Sequence, residues 1–241
     1  MANDASNMVY SITNLIVTVP RVGDMPTRCG AYRTKSSKAN IEVEITPEGM
    51  NRWEGRCSID MAYYMETGSD FYRKLLAFDG MMLHASCVVK NGYAYLFSGS
   101  CGMGKSTHTK LYQQLWGREV QIINDDKPAL RRENGVWTAY GTPWCGKDGI
   151  NQNASAPIAG ICFLRRGEET TIRRLAPAEA TPYVMAQTLH KLKPEQMLQL
   201  LSLVDKLVCE VPCYELYSHA EPEAARLTYE TMRPRAKEET K

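Results

Sequence analysis

The run Gly99-Ser100-Cys101-Gly102-Met103-Gly104-Lys105-Ser106 sets glycines, a lysine and a hydroxyl at the spacing G-x-x-x-x-G-K-S. These residue types suit a phosphate group. Glycines let successive backbone N–H groups turn toward an anion, and a helix starting at the end of the run adds the positive end of its dipole. Lys105 is expected to reach the terminal phosphates and Ser106 to hold Mg²⁺, with Thr107 completing the binding set. The chemistry implied is the binding of a nucleoside triphosphate. The bland alternative is a surface glycine turn. Apolar Tyr93 to Phe97 before the run and helix-compatible Thr107 to Trp116 after it supply the strand–loop–helix context that the phosphate reading requires.

A second group of reactive side chains follows. Asp125 and Asp126 stand twenty residues beyond Lys105, at the end of an apolar segment. In an open sheet that position brings side chains beside the phosphate loop. Adjacent carboxylates can divide two tasks, one accepting the proton of an attacking hydroxyl and the other coordinating Mg²⁺. Asp125 is assigned the first task and Asp126 the second, with the reverse order left open and a solvated acidic turn as the alternative to both. His84, within Met82-Leu83-His84-Ala85-Ser86, is either a core histidine or a contact to the γ-phosphate or to an Asp carboxylate. His108 reads as an ordinary first-turn helix residue. Lys147, in the loop Gly141 to Gly149, is a candidate phosphate contact. One of Arg165 and Arg166 is a candidate for stabilising the transferring phosphoryl group, against a solvated hairpin end beside Gly167. Trp144 either stacks on the base or covers the sheet edge.

Positioning these groups takes a mixed α/β sheet. Met81 to Val89 and Tyr93 to Ser98 read as strands joined by Asn91-Gly92, two residues that tolerate positive φ and so signal a hairpin. The strand feeding the phosphate loop is therefore expected to have an antiparallel neighbour, unlike the all-parallel doubly wound sheet. Gly117 marks a helix end, Val120 to Asn124 a strand, and Asn134-Gly135 a second hairpin between Leu130 to Arg132 and Val136 to Tyr140. Gly160 to Arg165 and Thr170 to Leu175 suggest a third hairpin. Helical spacing covers 177–189 and 194–208, the latter with Met197, Leu198, Leu201 and Val204 on one face. Tyr214 to Tyr217 suits a returning strand and 221–232 a helix, with a charged, frayed end after it. Ahead of all this, Met8 to Val19 and Ile41 to Ile45 carry strand-like residues and Asp70 to Phe78 a short helix. Residues 1–79 are taken as a small β-rich subdomain or an added layer, and 80–241 as the P-loop body with C-terminal helices.

Composition narrows the class further. The 241 residues are 44% hydrophobic and 23% charged, with a formal net charge of +2 and no long basic block, so no nucleic-acid partner is expected. No apolar run reaches membrane-spanning length, and residues 1–7 lack a signal-peptide pattern. A cytoplasmic protein with its eight cysteines reduced is the expectation. Cys209 and Cys213 form a pair without a second cluster, too little for a zinc site.

Leu83-His84-Ala85-Ser86, a short hairpin, the loop Gly99 to Ser106 and then Asn124-Asp125-Asp126 together resemble the catalytic domain of HPr kinase/phosphorylase. More closely, the chain is similar to the HPr-kinase-related proteins found beside peptide-modification genes, including the serine kinases of lasso-peptide clusters. The resemblance spans Gly80 to Ser218 and is strongest from Leu83 to Asp126. It implies the nucleotide fold shared with phosphoenolpyruvate carboxykinase, together with ATP, Mg²⁺ and a serine hydroxyl acceptor on a peptide, a protein or a smaller molecule. It also implies that Asp125 is the catalytic base, that Asp126 belongs to the metal and phosphate region, and that His84 matches the histidine preceding the loop. The sequence departs from HPr kinase after the aspartates. Gly141 to Asn151 occupies the place of the family's glycine-rich signature without matching it, which argues against HPr as substrate and against reverse phosphorolysis.

The reading that emerges is an ATP- and Mg²⁺-dependent kinase acting on a hydroxyl, with Lys105, His84 and one of the two arginines neutralising the transferring group. An ATPase without hydroxyl transfer, and a nucleotide-responsive binding or scaffold protein, are the alternatives. A homo-oligomer is compatible with all three.

Overall fold

A computed structural model describes residues 7–36, 38–189, 191–219 and 221–234. The expected frayed end after Met232 falls mostly outside these residues, as does most of the polar N-terminus. In chain order the strands are β1 (Met8–Ile12), β2 (Leu15–Val19), β3 (Ile41–Glu42), β4 (Gly80–Met82), β5 (Ala85–Lys90), β6 (Tyr93–Ser98), β7 (Val120–Asn124), β8 (Ala129–Glu133), β9 (Val136–Tyr140), β10 (Ser155–Arg166), β11 (Thr171–Leu175) and β12 (Cys213–Ser218). The helices are α1 (Met25–Arg28), α2 (Pro47–Asn51), α3 (Ile59–Leu75), α4 (Lys105–Trp116), α5 (Pro177–Ala186), α6 (Pro194–Glu210) and α7 (Pro222–Met232).

Nine strands form one mixed sheet. Its main path runs β4-β8-β9-β10-β6-β5-β7, with β12 beside β10 and β11 beside β12. Two hairpins expected from the sequence are present. Asn91-Gly92 joins antiparallel β5 and β6, and Asn134-Gly135 joins β8 and β9, all four residues at positive φ. Strand β6, which leads into the phosphate loop, has antiparallel β5 on one side and parallel β10 on the other. Its side chains alternate as a pleated strand requires. Ala94 and Leu96 join a core with Leu203 and Val204 of α6 and Val184 of α5, whereas Tyr95 and Phe97 join one with Leu111 and Tyr112 of α4 and Tyr229 of α7. Helices on both faces thus clamp the strand that carries the loop. Each fully buried large apolar side chain contributes about 1.5–3 kcal/mol to that clamp.

Four expectations need correction. The third hairpin does not form: β12 lies between β10 and β11, parallel to the first and antiparallel to the second. The short polar link at Gly167 looks like a hairpin turn, but α5 and α6 provide the long crossover that a parallel strand needs. The apolar run Met81 to Val89 is two strands, not one. β4 pairs with β8 while β5 pairs with β6 and β7, and Leu83-His84 spans the break. On α6 the buried face is Leu200, Leu203, Val204, Leu207 and Val208, while Leu198 and Leu201 are exposed. Leucines surround this helix, so apolar spacing alone does not single out one face. Finally, the short helix expected at Asp70 begins at Ile59, capped by the Ser58 hydroxyl, which accepts from the Met61 amide at 3.3 Å. Buried Glu66, Thr67 and Gly68 interrupt its apolar stripe and conceal the helical period.

Met8 to Val19 is likewise a hairpin, turning at Thr13-Asn14 with φ of 56° and 59°. It forms a three-stranded sheet with β3. This N-terminal section shares its core with the main body: Tyr10, Ile12, Val17 and Phe71 cluster with Met82, Ala129, Tyr140 and Trp144. Among the described residues no helix is long and apolar enough to cross a membrane.

Candidate active site

The phosphate-loop run leaves β6 and ends in α4. Gly102 and Gly104 have φ of 78° and 89°, left-handed values that a side chain resists, so glycine is required for this path. Gly104 sits at the N-cap of α4 and no side chain caps that helix, which leaves its first amides directed into the cleft. The Lys105 ammonium folds back over the loop and donates to the Gly99 carbonyl at 2.8 Å and the Ser100 carbonyl at 3.3 Å. Burial lowers its pKa, partly opposed by the charge of Asp126.

Across the cleft stands the end of β7. Asn124 is fully buried and organises the turn that follows. Its Oδ1 accepts from the amides of Asp126 (2.9 Å) and Lys127 (2.7 Å), and its Nδ2 donates to the Thr142 carbonyl at 3.0 Å. One asparagine thus fixes the paired acids and the loop beside them, the side-chain-to-backbone bonding that makes Asn a turn former.

The two carboxylates occupy different environments. Asp125, only 6% exposed, accepts from the Gly146 amide at 2.6 Å. Burial raises its pKa, and the neighbouring Asp126 charge adds to the shift. A Cβ on Gly146 would lie 3.0 Å from Asp125 Oδ2, so glycine there permits the close approach. Asp126 meets His84 Nε2 at 3.1 Å through Oδ1, and the Lys127 ammonium through Oδ2. Burial acts to raise its pKa too, but the His84 hydrogen bond and the Lys127 charge outweigh burial and hold the carboxyl far below the usual carboxylate range.

Behind this pair lies a supporting layer. His84 Nδ1 faces Gln187 Oε1 at 3.1 Å, and its backbone amide donates to the Gln187 carbonyl at 2.7 Å. Tyr64, from α3, places its hydroxyl 3.0 Å from the Cys145 carbonyl and 3.3 Å from Asp126 Oδ2, and accepts from Lys127 Nζ at 2.9 Å. His84 projects here because β4 and β5 part at Leu83-His84. The Ala85 amide and the Ser86 hydroxyl bond the carbonyls of Asp126 and Asp125, each at 3.0 Å, tying the break to the acids.

One cleft of about 490 Å³ gathers His84, Lys105, Ser106, Asp125, Asp126 and Lys147, with Thr107 and the loop residues Cys101, Gly102 and Gly104 on its wall. The arginine pair is divided by strand alternation. Arg166 donates to the Gly102 carbonyl at 3.3 Å, whereas Arg165 turns away, pairs with Glu215 at 3.3 Å and lies over the Tyr183 ring. Trp144 does neither of the things expected of it. It is fully buried, stacked on Phe71 with ring centres 4.6 Å apart, and donates to Thr67 Oγ1 at 3.2 Å. His108 packs in the core against Phe97, and burial lowers its pKa to about 3. Lys147 is exposed at the cleft rim.

Sequence reasoning missed Tyr64, Lys127 and Gln187, and it placed Gly146 in a loop of special residues without linking it to Asp125. Lys127, directly after the acids, and the glycine within Cys145-Gly146-Lys147 were readable signals. Tyr64 and Gln187 reach the site only through tertiary packing and leave no local mark. For Mg²⁺, Ser106 and Asp126 share the cleft wall, and this ion commonly takes one or two protein oxygens with phosphate and water completing the shell. Among the described residues no group of three or more His, Cys, Asp or Glu side chains is arranged to hold a metal unaided.

Among solved structures the chain is similar to the Hpr(Ser) kinase/phosphatase from Coxiella burnetii, with 13% identity and a TM-score of 0.38 over 62% of this chain and 94% of that one. No curated protein matches the sequence. Residues 58–221 match the family model described as SynChlorMet cassette protein ScmC, and the chain belongs to that family.

Proposed function

We propose that this chain is an ATP- and Mg²⁺-dependent kinase that transfers the γ-phosphoryl group to a hydroxyl, with serine in a peptide, a protein or a small molecule as the acceptor class. The observation that carries the reading is the meeting, in one cleft, of an uncapped helix N-terminus behind a glycine loop with a buried carboxylate of raised pKa. The first grips phosphates and the second accepts a proton.

In this reading the amides of Gly102 and residues 104–106 and the Lys105 ammonium bind the β- and γ-phosphates, and the lysine exchanges its carbonyl partners for phosphate oxygens. Asp125 takes the proton of the acceptor hydroxyl as its oxygen attacks phosphorus and the bond to the β-phosphate oxygen breaks, leaving ADP and a phosphate ester. Its raised pKa makes it a better base than an ordinary aspartate. Asp126 stays ionised and, with Ser106, holds Mg²⁺, which supplies charge neutralisation at the phosphates. His84 keeps Asp126 in place from one side and Lys127 from the other. Arg166, which bonds the phosphate loop at the Gly102 carbonyl, is the arginine of the pair assigned to the transferring group, and Lys147 borders the entrance.

The test offers γ-labelled ATP and Mg²⁺ together with serine-containing peptides or free serine. Label is expected on an acceptor, with ADP release rising when that acceptor is present. ADP release indifferent to every acceptor would replace the kinase reading with an ATPase, and tight ATP binding without turnover would replace it with a nucleotide-responsive binding protein.

A further inference from the structure

A second pocket, of about 550 Å³, opens between α2, α3 and the segment after α5. Its lining carries four cationic side chains, Arg52, Arg56, Arg73 and Lys191, against two carboxylates, Glu54 and Glu66. Two of the cations are already engaged. Arg52 pairs with buried Glu66 at 2.9 Å, and Arg73 lies 3.5 Å from Asp70. Arg56 and Lys191 are exposed and make no ion pair among the described residues. Trp53, Met65 and Leu189 supply an apolar side. Trp53 is itself fixed, donating to Glu66 Oε1 at 2.6 Å.

The pocket and the phosphate cleft have no lining residue in common, but two segments serve both with adjacent residues. Met65 and Glu66 line it, while the preceding residue, Tyr64, reaches Asp126. Thr188 lines it, while the preceding residue, Gln187, holds His84. Tyr64 and Gln187 thus tie the segments that line the pocket to Asp126 and His84 of the phosphate cleft. That separation of linings selects the occupant. A small hydroxy acid seated in this pocket would touch none of the residues that line the phosphate cleft, Asp125 included, whereas an extended chain gains about 3.3–3.6 Å per residue and can engage two separate sites.

We propose that this pocket anchors an acidic segment of the acceptor peptide. Carboxylates of the peptide meet Arg56 and Lys191, an apolar side chain lies against Trp53, Met65 and Leu189, and the acceptor hydroxyl enters the phosphate cleft. The inference rests on the kinase reading and adds the chemistry by which the acceptor is chosen.

The experiment measures binding without nucleotide, by fluorescence anisotropy, of a fluorescein-labelled peptide bearing one serine, one leucine and two glutamates, beside matched peptides with glutamine or lysine at the glutamate positions. The acidic peptide is expected to bind about tenfold more tightly than the glutamine peptide, a difference that shrinks with added salt. Arg56→Glu with Lys191→Glu should abolish that preference and transfer it to the lysine peptide, with thermal melting unchanged because both positions are exposed. Equal affinity for the acidic and glutamine peptides, or a preference that survives the double reversal, would overturn the proposal. Competition by free glutamate at the peptide's own concentration would overturn it too, making the pocket a small-anion site. A Lys105→Ala chain separates this result from the kinase reading, since it should bind the peptide normally while losing nucleotide.

Discussion

The phosphate loop is one unbroken run, Gly99 to Ser106, whereas the wall facing it draws Tyr64 from α3, His84 from the β4–β5 break, Asp125 to Lys127 from the end of β7, and Gln187 from just past α5. The loop owes its shape to glycine φ values and a helix start, both local properties. The wall owes its shape to contacts between segments as far as 103 positions apart, as in the His84–Gln187 pair. Binding an anion needs only the local device. Choosing and activating an acceptor needs groups of opposite character, a proton acceptor and a fixed anion, and these arise only where several segments meet.

The largest expected effect separates the two sides by function. Asp125→Ala should lower phosphoryl transfer by about 10²–10⁴-fold while nucleotide affinity, followed by titration with a fluorescent ATP analogue, changes little. Lys105→Ala should reduce nucleotide affinity itself. If Asp125→Ala lost nucleotide and transfer equally, the division between gripping loop and reactive wall would fail.

A change in the aromatic core should sharpen the contrast through stability. Trp144→Ala empties a site stacked on Phe71 and edge-on to Tyr72 and should cost about 3–5 kcal/mol in denaturant unfolding. Cys101→Ser, on the exposed loop, should stay within about 0.5 kcal/mol of the parent.

The adjacent aspartates should respond to pH with opposite sign. Asp126 holds its proton less tightly folded than unfolded, so its stabilising contribution is complete above the ordinary carboxylate range and is lost as pH falls below it. Asp125 holds its proton more tightly folded than unfolded, so its contribution is present at low pH and is lost as pH rises through the raised value. At pH 7, Asp126→Asn should therefore destabilise the chain by about 1–3 kcal/mol, and Asp125→Asn should raise stability while abolishing transfer. Melting temperatures of both variants across pH 3–8 are the measurement, and shifts of equal sign at neutral pH would break the distinction.

The smallest effect concerns the supporting layer. Gln187→Leu removes the partner of His84 Nδ1 and should lower kcat by about tenfold with KM for ATP unchanged, since hydrogen-bonded networks of this kind couple at about 1 kcal/mol. A matching rise in KM would place His84 on the nucleotide instead of on Asp126.

The strand, loop and helix around Lys105, the antiparallel neighbour of β6 and both Asn-Gly hairpins were legible because each follows from side-chain period and backbone φ within a few residues. Asp125 and Asp126 were found by position after a strand, but their unlike surroundings were not. α3 was half read because buried Glu66 and Gly68 break its apolar stripe. The placement of β12 between β10 and β11 was missed because turn chemistry favours the nearest partner and says nothing about a strand returning after two helices.

The chain by itself determined the path of the glycine loop and the helix start behind it, since positive φ at glycine needs no distant residue. Only the tertiary structure decided which carboxylate is buried, which arginine faces the loop, and which side chains stand behind His84. Those properties depend on desolvation and on the alternation of strands fixed by neighbours, and no short stretch of sequence carries either.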